Sequence, residues 1–288
     1  MSSDKKIDFK GLCISAGGLN GLYYLGALDY YYENKQLDNV LYYSGTSIGS
    51  LICLLLIIGY TPKEIFIYVC QDDLLSYFIM PSVNDLIQNY GLFEIDILRK
   101  YVNQMLLNKL AFIPTFKELY EEYEKTFYCT SYNISQDEGK TYFSHHTHPN
   151  MLVSDAVVCS CSIPFIFSKT KLNDQIFIDG AIFDSTPLSC LLPYFSSTDY
   201  ESILTIGYLL KKHEIRNEEN NNIFKYANRI LSLLTNNMND ICYKTHLIQV
   251  ESTILPFMLS MTTSTKVKLF IDGRNTVIRK YKLKEKLD

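Results

Sequence analysis

Ser47 is the residue of this chain whose surroundings best suit covalent chemistry. It stands in Gly45-Thr46-Ser47-Ile48-Gly49, between an apolar stretch at Val40-Leu41-Tyr42-Tyr43 and an apolar run from Ile48 to Ile58. The first reads as a strand and the second as a helix. A Gly-x-Ser-x-Gly pentapeptide in that context describes a nucleophile elbow, with the serine at the tip of a turn and its hydroxyl exposed. Gly45 and Gly49 let strand and helix close on each other. The helix N-terminus, with its unpaired N–H groups, favours the negative charge that develops when a serine attacks.

A glycine-rich segment, Ser15-Ala16-Gly17-Gly18-Leu19-Asn20-Gly21-Leu22, lies one strand earlier. It joins a strand pattern (Ile7 to Ile14) to a helical run (Tyr23 to Tyr32). Such a loop aims backbone N–H groups at an anion, either a nucleotide phosphate or the oxyanion of a tetrahedral acyl intermediate. The segment lacks Gly-x-Gly-x-x-Gly and no Gly-Lys-Ser/Thr follows it, so the nucleotide reading is poor. With an elbow one strand later, an oxyanion hole is the better reading.

A base is also needed. Ile176-Phe177-Ile178-Asp179-Gly180-Ala181 is an apolar strand ending in Asp-Gly, which places a carboxylate at the rim where α/β sheets keep their sites. There Asp179 can take the serine proton directly. Leu269-Phe270-Ile271-Asp272-Gly273-Arg274 has the same local look. The rival arrangement is a Ser-acid-His triad completed by His213 or His246. His213 lies in a charged loop and His246 in a helical pattern, so neither has the strand–loop context that would bring it to Ser47. His145, His146 and His148 suit a solvated loop better than a zinc site.

These blocks, in this order, resemble the patatin-like phospholipases, serine lipid acyl hydrolases with a Ser-Asp dyad and no catalytic histidine. The resemblance runs from about Leu12 to Pro187 and is nearest to viral and bacterial members. It implies that Ser47 is the nucleophile, that Asp179 is the base, and that Gly17 and Gly18 form the oxyanion hole. Gly21, Gly45, Gly49 and Gly180 support the motifs. Gly91-Leu92-Phe93 with Ile97-Leu98-Arg99, Thr115 to Leu119, and Ala156 to Phe167 resemble further family segments. Pro187 shortly after Asp179-Gly180-Ala181 separates this motif from Asp272, which lacks both flanks. Two positions depart from the family pattern: Ala16 stands for the first loop glycine and Asn20 for a basic residue. Losing that cation removes positive potential near the oxyanion. The resemblance implies phospholipase A or lysophospholipase-type activity through an acyl-Ser47 intermediate, with no cofactor, no metal and no calcium requirement. The alternatives are a catalytically weak lipid-binding or interaction protein that retains the fold, and a Ser-His-Asp esterase.

Composition narrows the remaining classes. The 288 residues are 47% hydrophobic, enough for one large core. A net charge of −4 argues against nucleic-acid binding. Eight cysteines without a C-x-x-C pair read as reduced core residues of an intracellular, cytoplasmic protein. The polar start from Ser2 to Lys6 is unlike a signal peptide, and Leu51 to Ile58 is too short to span a bilayer. The expected partner is a phospholipid or other acyl lipid, with no nucleic acid. Arg274, Arg279, Lys280, Lys282, Lys284 and Lys286 form a basic tail (274–286) that offers peripheral contact with an anionic membrane surface.

Strand and helix patterns alternate through the first two hundred residues, which predicts an α/β fold of three layers: a mainly parallel sheet with helices on both faces. Thr61-Pro62-Lys63-Glu64 predicts a helix start with a capping box. Phe127 to Ile134, Thr141 to Phe143 and Ser202 to Leu210 read as strands. The organisation expected is a catalytic core over 1–210, then a mostly helical extension over 211–288 on the same domain, with Ile223 to Ser260 helical.

Overall fold

The computed structural model describes residues 7–71, 90–210, 242, 244–252 and 261–284. Its centre is an eight-stranded sheet built from β1 (Gly11–Ile14), β2 (Tyr42–Thr46), β4 (Thr126–Asn133), β5 (Lys140–Phe143), β7 (Thr170–Leu172), β8 (Gln175–Asp179), β9 (Ile203–Leu210) and β10 (His246–Ser252). The order is β10-β9-β1-β2-β4-β8-β7, with β5 paired to β4. Pairings from β10 through β4 are parallel, while those of β8 with β4 and β7, and of β5 with β4, are antiparallel. A small second sheet pairs β3 (Gly91–Phe93) with β6 (Phe165–Phe167).

Parallel strands are covered on both faces, so their sequences are continuous apolar runs rather than alternating ones. β1, Gly-Leu-Cys-Ile, is buried at every position. Successive side chains still face opposite ways. Leu12 and Ile14 enter the main core with α1 (Gly21–Glu33) and α2 (Ile48–Ile57), while Cys13 joins a smaller cluster with Ile203, Leu188 and Leu191. The remaining helices are α3 (Pro62–Gln71), α4 (Ile95–Lys109), α5 (Phe116–Tyr123), α6 (Val153–Ser160) and α7 (Thr263–Lys284). The mainly parallel central sheet flanked by helices is therefore present as expected.

Local signals survive in detail. Thr61 N–H donates to Glu64 Oε2 and Glu64 N–H to Thr61 Oγ1, so the predicted capping box opens α3. β2 begins later than the apolar pattern alone suggests and runs to Thr46, delivering the chain straight into Ser47.

The C-terminal part differs from expectation. Residues 246–252 are not helical; they form β10, an edge strand of the central sheet. Every second position of β10 is buried, but His246 and Ser252 fill two of those positions and Leu247 faces the other way. The residue types therefore hide the period of two. Residues 211–241, with the predicted loop and His213, lie outside the described residues. The Asp272-Gly273 pair falls inside α7 rather than on a strand. A Cβ on Gly273 would stand 2.0 Å from the Tyr23 carbonyl oxygen, so this glycine marks the crossing of α7 with α1. The basic tail is also partly committed within the fold. Arg274 pairs with Asp29 and Glu33, and Lys280 donates to the Leu247 carbonyl.

Candidate active site

The sheet register brings the two predicted catalytic residues together. β4 gives Thr126–Thr130 to β2 and Ser131–Asn133 to β8. Thr46 is opposite Thr130 and Asp179 is opposite Ser131. The ends of β2 and β8 therefore meet at one step along β4, with Ser47 the next residue after Thr46. The hydroxyls of Thr46 and Thr130 hydrogen-bond at 2.6 Å, and Ser131 Oγ donates to the Ile178 carbonyl at 2.8 Å. Both links fasten the junction.

Ser47 is the N-cap of α2, at φ 55° and ψ −127°. A serine in this region is strained by about 1–3 kcal/mol, a cost that surrounding contacts must hold in place. Its carbonyl accepts from Ser50 N–H (2.9 Å) and Ser50 Oγ (2.6 Å), and its N–H donates to Ser160 Oγ at 2.8 Å. The hydroxyl makes no capping bond to the helix; it lies within electrostatic reach of the Asp179 carboxyl and the Cys161 thiol. The glycines permit this packing. A Cβ on Gly45 would be 2.5 Å from the Ser50 nitrogen, and one on Gly49 would be 2.2 Å from the Ile14 carbonyl oxygen.

Asp179 ends β8 and caps the turn that follows, its Oδ1 accepting from Ala181 N–H at 2.9 Å. Its own N–H donates to the Ser162 carbonyl at 2.9 Å. Burial pushes its carboxyl up from the ordinary 3.8 to about 6, and the nearby Ser47 hydroxyl and the Ala181 N–H offset this only in part. Such a group is largely ionised at neutral pH yet retains useful proton affinity, which suits a general base.

The glycine loop leaves β1 beside the elbow, because Ile14 is opposite Gly45. Gly18 adopts positive φ (53°). The Ala16 N–H is committed to the Ser185 carbonyl at 2.8 Å, so Ala16 anchors the loop. Asn20 is fully buried: its N–H and Nδ2 both donate to the Gly17 carbonyl at 3.0 Å, and its Oδ1 accepts from Ser252 Oγ on β10. The residue that replaces a cation therefore works as a brace. Gly21 opens α1 against Ile48, and Gly180 lies against Thr130.

Among the described residues, the structure brings no histidine into this arrangement. His246 is level with Leu204, Leu12 and Tyr43 on the successive strands β9, β1 and β2. Strand spacing and rise put it about 14 Å across and 13 Å along the sheet from Ser47. Its Nε2 instead hydrogen-bonds the Tyr31 hydroxyl at 3.0 Å. His145 stacks on Tyr120, and His146 Nε2 bonds the Tyr194 hydroxyl. Among the described residues, no group of three or more His, Cys, Asp or Glu is placed to hold a metal ion. Ser160, Cys161 and Ser50 join the site without having been expected from the sequence. The run of small residues Ser160-Cys161-Ser162 before Pro164 is a signal that could have pointed to the first two; Ser50, inside α2, carries none.

A strained serine at a strand–helix turn thus stands near a buried aspartate at the end of β8. The chain belongs to the patatin-like phospholipase family, whose model matches residues 12–192, a span that includes Ser47 and Asp179. It is 32% identical over 189 residues to "Probable lipid hydrolase 463L" of Invertebrate iridescent virus 6, covering 65% of this chain and 64% of that protein. It is 26% identical over 221 residues to "Triacylglycerol lipase 5" of Saccharomyces cerevisiae, covering 67% of this chain and 29% of the lipase. Among solved structures, VipD from Legionella pneumophila superimposes with a TM-score of 0.56 at 16% identity, over 94% of this chain and 66% of VipD. The chain thus spans just under two thirds of the viral relative.

Proposed function

We propose that this chain is a serine lipid acyl hydrolase of the phospholipase A or lysophospholipase type. The observation that carries the reading is the strained Ser47 within electrostatic reach of Asp179, a buried carboxyl held near 6. Ser47 Oγ attacks the ester carbonyl carbon while Asp179 takes its proton. The resulting oxyanion is held by the N–H groups of Gly17 and Gly18, with the N-terminus of α2 adding a favourable field. Collapse breaks the ester C–O bond; the departing alkoxide takes the proton from Asp179 and leaves as the lysolipid or alcohol. Water then attacks acyl-Ser47 with Asp179 again as base. The fatty acid departs and the proton returns to Ser47 Oγ.

The acyl-lipid substrate rests on the family membership and on the names of the relatives, a lipid hydrolase and a triacylglycerol lipase. Among the described residues no helix is long and apolar enough to cross a membrane. The test is labelling with a fluorophosphonate probe, followed by mass spectrometry of products from a panel of phospholipids, lysophospholipids and triacylglycerols. Labelling at Ser47 with release of free fatty acid is expected. Absence of both would leave the non-catalytic lipid-binding alternative.

A further inference from the structure

The elbow is gripped from behind by groups that the chemistry above does not use. Ser160, at the end of α6, is fully buried. Its Oγ accepts the Ser47 N–H at 2.8 Å, and Cys129 on β4 lies within electrostatic reach of Ser50 and Ser160. Cys129, fully buried as well and opposite Gly45 on β2, donates its thiol proton to the Ala156 carbonyl at 3.4 Å. Ser160 thus receives the Ser47 N–H, while Cys129 beside it is anchored to the Ala156 carbonyl of the same helix α6.

We propose that Ser160, supported by Cys129, is a positioning residue that holds Ser47 in its strained conformation and keeps the hydroxyl aligned on Asp179. Neither residue touches the substrate. The proposal rests on the reading of Ser47 as nucleophile. The physical case has two parts. A buried N–H deprived of its acceptor loses about as much free energy as is stored in the strain of a serine at positive φ. Without the acceptor, the backbone at Ser47 has as much to gain by relaxing as by staying. The second part is uniqueness of place. The Ser47 carbonyl is held by Ser50 within its own helix, whereas the N–H is held across the fold, by a different element. Rotation of the Ser47 peptide is therefore checked by α6 and β4. Burial lifts the Cys129 thiol to about 12, which keeps it protonated as a donor.

The test compares Ser160→Ala, Cys129→Ala and Cys129→Ser with wild type and with Ser47→Ala. For each folded variant, steady-state kinetics on a soluble monomeric ester and the second-order rate of fluorophosphonate labelling are measured. Hydrogen exchange is followed at the Thr46–Ser50 peptide. Ser160→Ala should lower kcat and labelling rate by about 10–100-fold with KM unchanged, while amide exchange at Ser47 rises at least tenfold. Cys129→Ala should show a smaller loss, and Cys129→Ser, which restores a donor, should return to within about threefold of wild type. A merely structural role would lower Tm but leave the kcat of the folded protein alone. Ser160→Ala with kcat and exchange both within threefold of wild type overturns the proposal. If wild type itself fails to label, the nucleophile reading falls, and the exchange measurement still decides whether Ser160 fixes the elbow.

Discussion

Replacing Asp179 by Asn should kill the enzyme and stabilise the protein, and the pH dependence of the second effect tests the reasoning behind the first. The carboxyl is buried, and its ionisation is pushed from 3.8 to about 6. The folded protein therefore holds a proton that the unfolded chain has already released between those two values. Stability is fully present below about pH 3.8 and falls as pH rises toward 6. Above that it stays lowered by an amount that corresponds to about 3 kcal/mol. The asparagine side chain keeps the shape and an acceptor oxygen but carries no charge to desolvate. At pH 8 the variant should resist urea better than wild type by up to this amount, and the gap should close as pH falls toward 4. Activity moves the other way. It requires the ionised carboxylate, so the wild-type rate should fall about tenfold per pH unit below pH 6, and Asp179→Asn should lose on the order of 10³-fold or more at pH 8, the gap narrowing as pH falls below 6. Urea unfolding at pH 4.5, 6 and 8, with esterase assays on the same samples, measures both. Equal midpoints at pH 8, or a variant within tenfold of wild-type activity there, would refute the assignment of Asp179 as a desolvated base.

Ser47→Ala should abolish fluorophosphonate labelling and reduce ester hydrolysis on the order of 10³-fold or more, with the fold intact by circular dichroism. The double variant with Asp179→Asn should be little worse than either single change, since the two act as one unit. Asp272→Asn, which alters a residue of α7, should keep activity within threefold in the same assay. Replacing His213 and His246 together by Gln should leave most of kcat; because His246 is packed with Tyr31 and Phe9, the expected loss is in Tm. A hundredfold fall in kcat of that folded variant would restore the triad.

How much of this is legible in the sequence follows from the range of the forces involved. The elbow, the glycine loop and the capping box at Thr61 are local: backbone geometry over a few residues demands particular side chains, so the sequence displays them. Strands β1 and β9 are visible because two-sided burial makes them nearly all apolar, and β4 because it is rich in β-formers. The pairing of Ser47 with Asp179 follows from order and resemblance; its physical cause, the split of β4 between β2 and β8, is a non-local register that leaves no periodic trace. β10 escapes because His246 and Ser252 occupy buried positions for the sake of distant partners, Tyr31 and Asn20, and so break the apolar alternation of a strand. The Asp272-Gly273 likeness misleads only at the level of the dipeptide, since its glycine answers a helix crossing and not a turn. Ser160 acts through a single hydrogen bond to a distant segment; the run of small residues around it marks the place but does not name its partner.

The brace on the glycine loop ties an early segment to a late one. Asn20 holds Gly17 and is itself held by Ser252, 232 residues further along. At a synthesis rate of about 5–20 residues per second, the nucleophile emerges from the ribosome roughly tens of seconds before this support of the oxyanion loop exists. A partly made chain carries the elbow without the finished anion pocket. Full bracing of the glycine loop is thus timed to the completion of the sheet, when β10 docks.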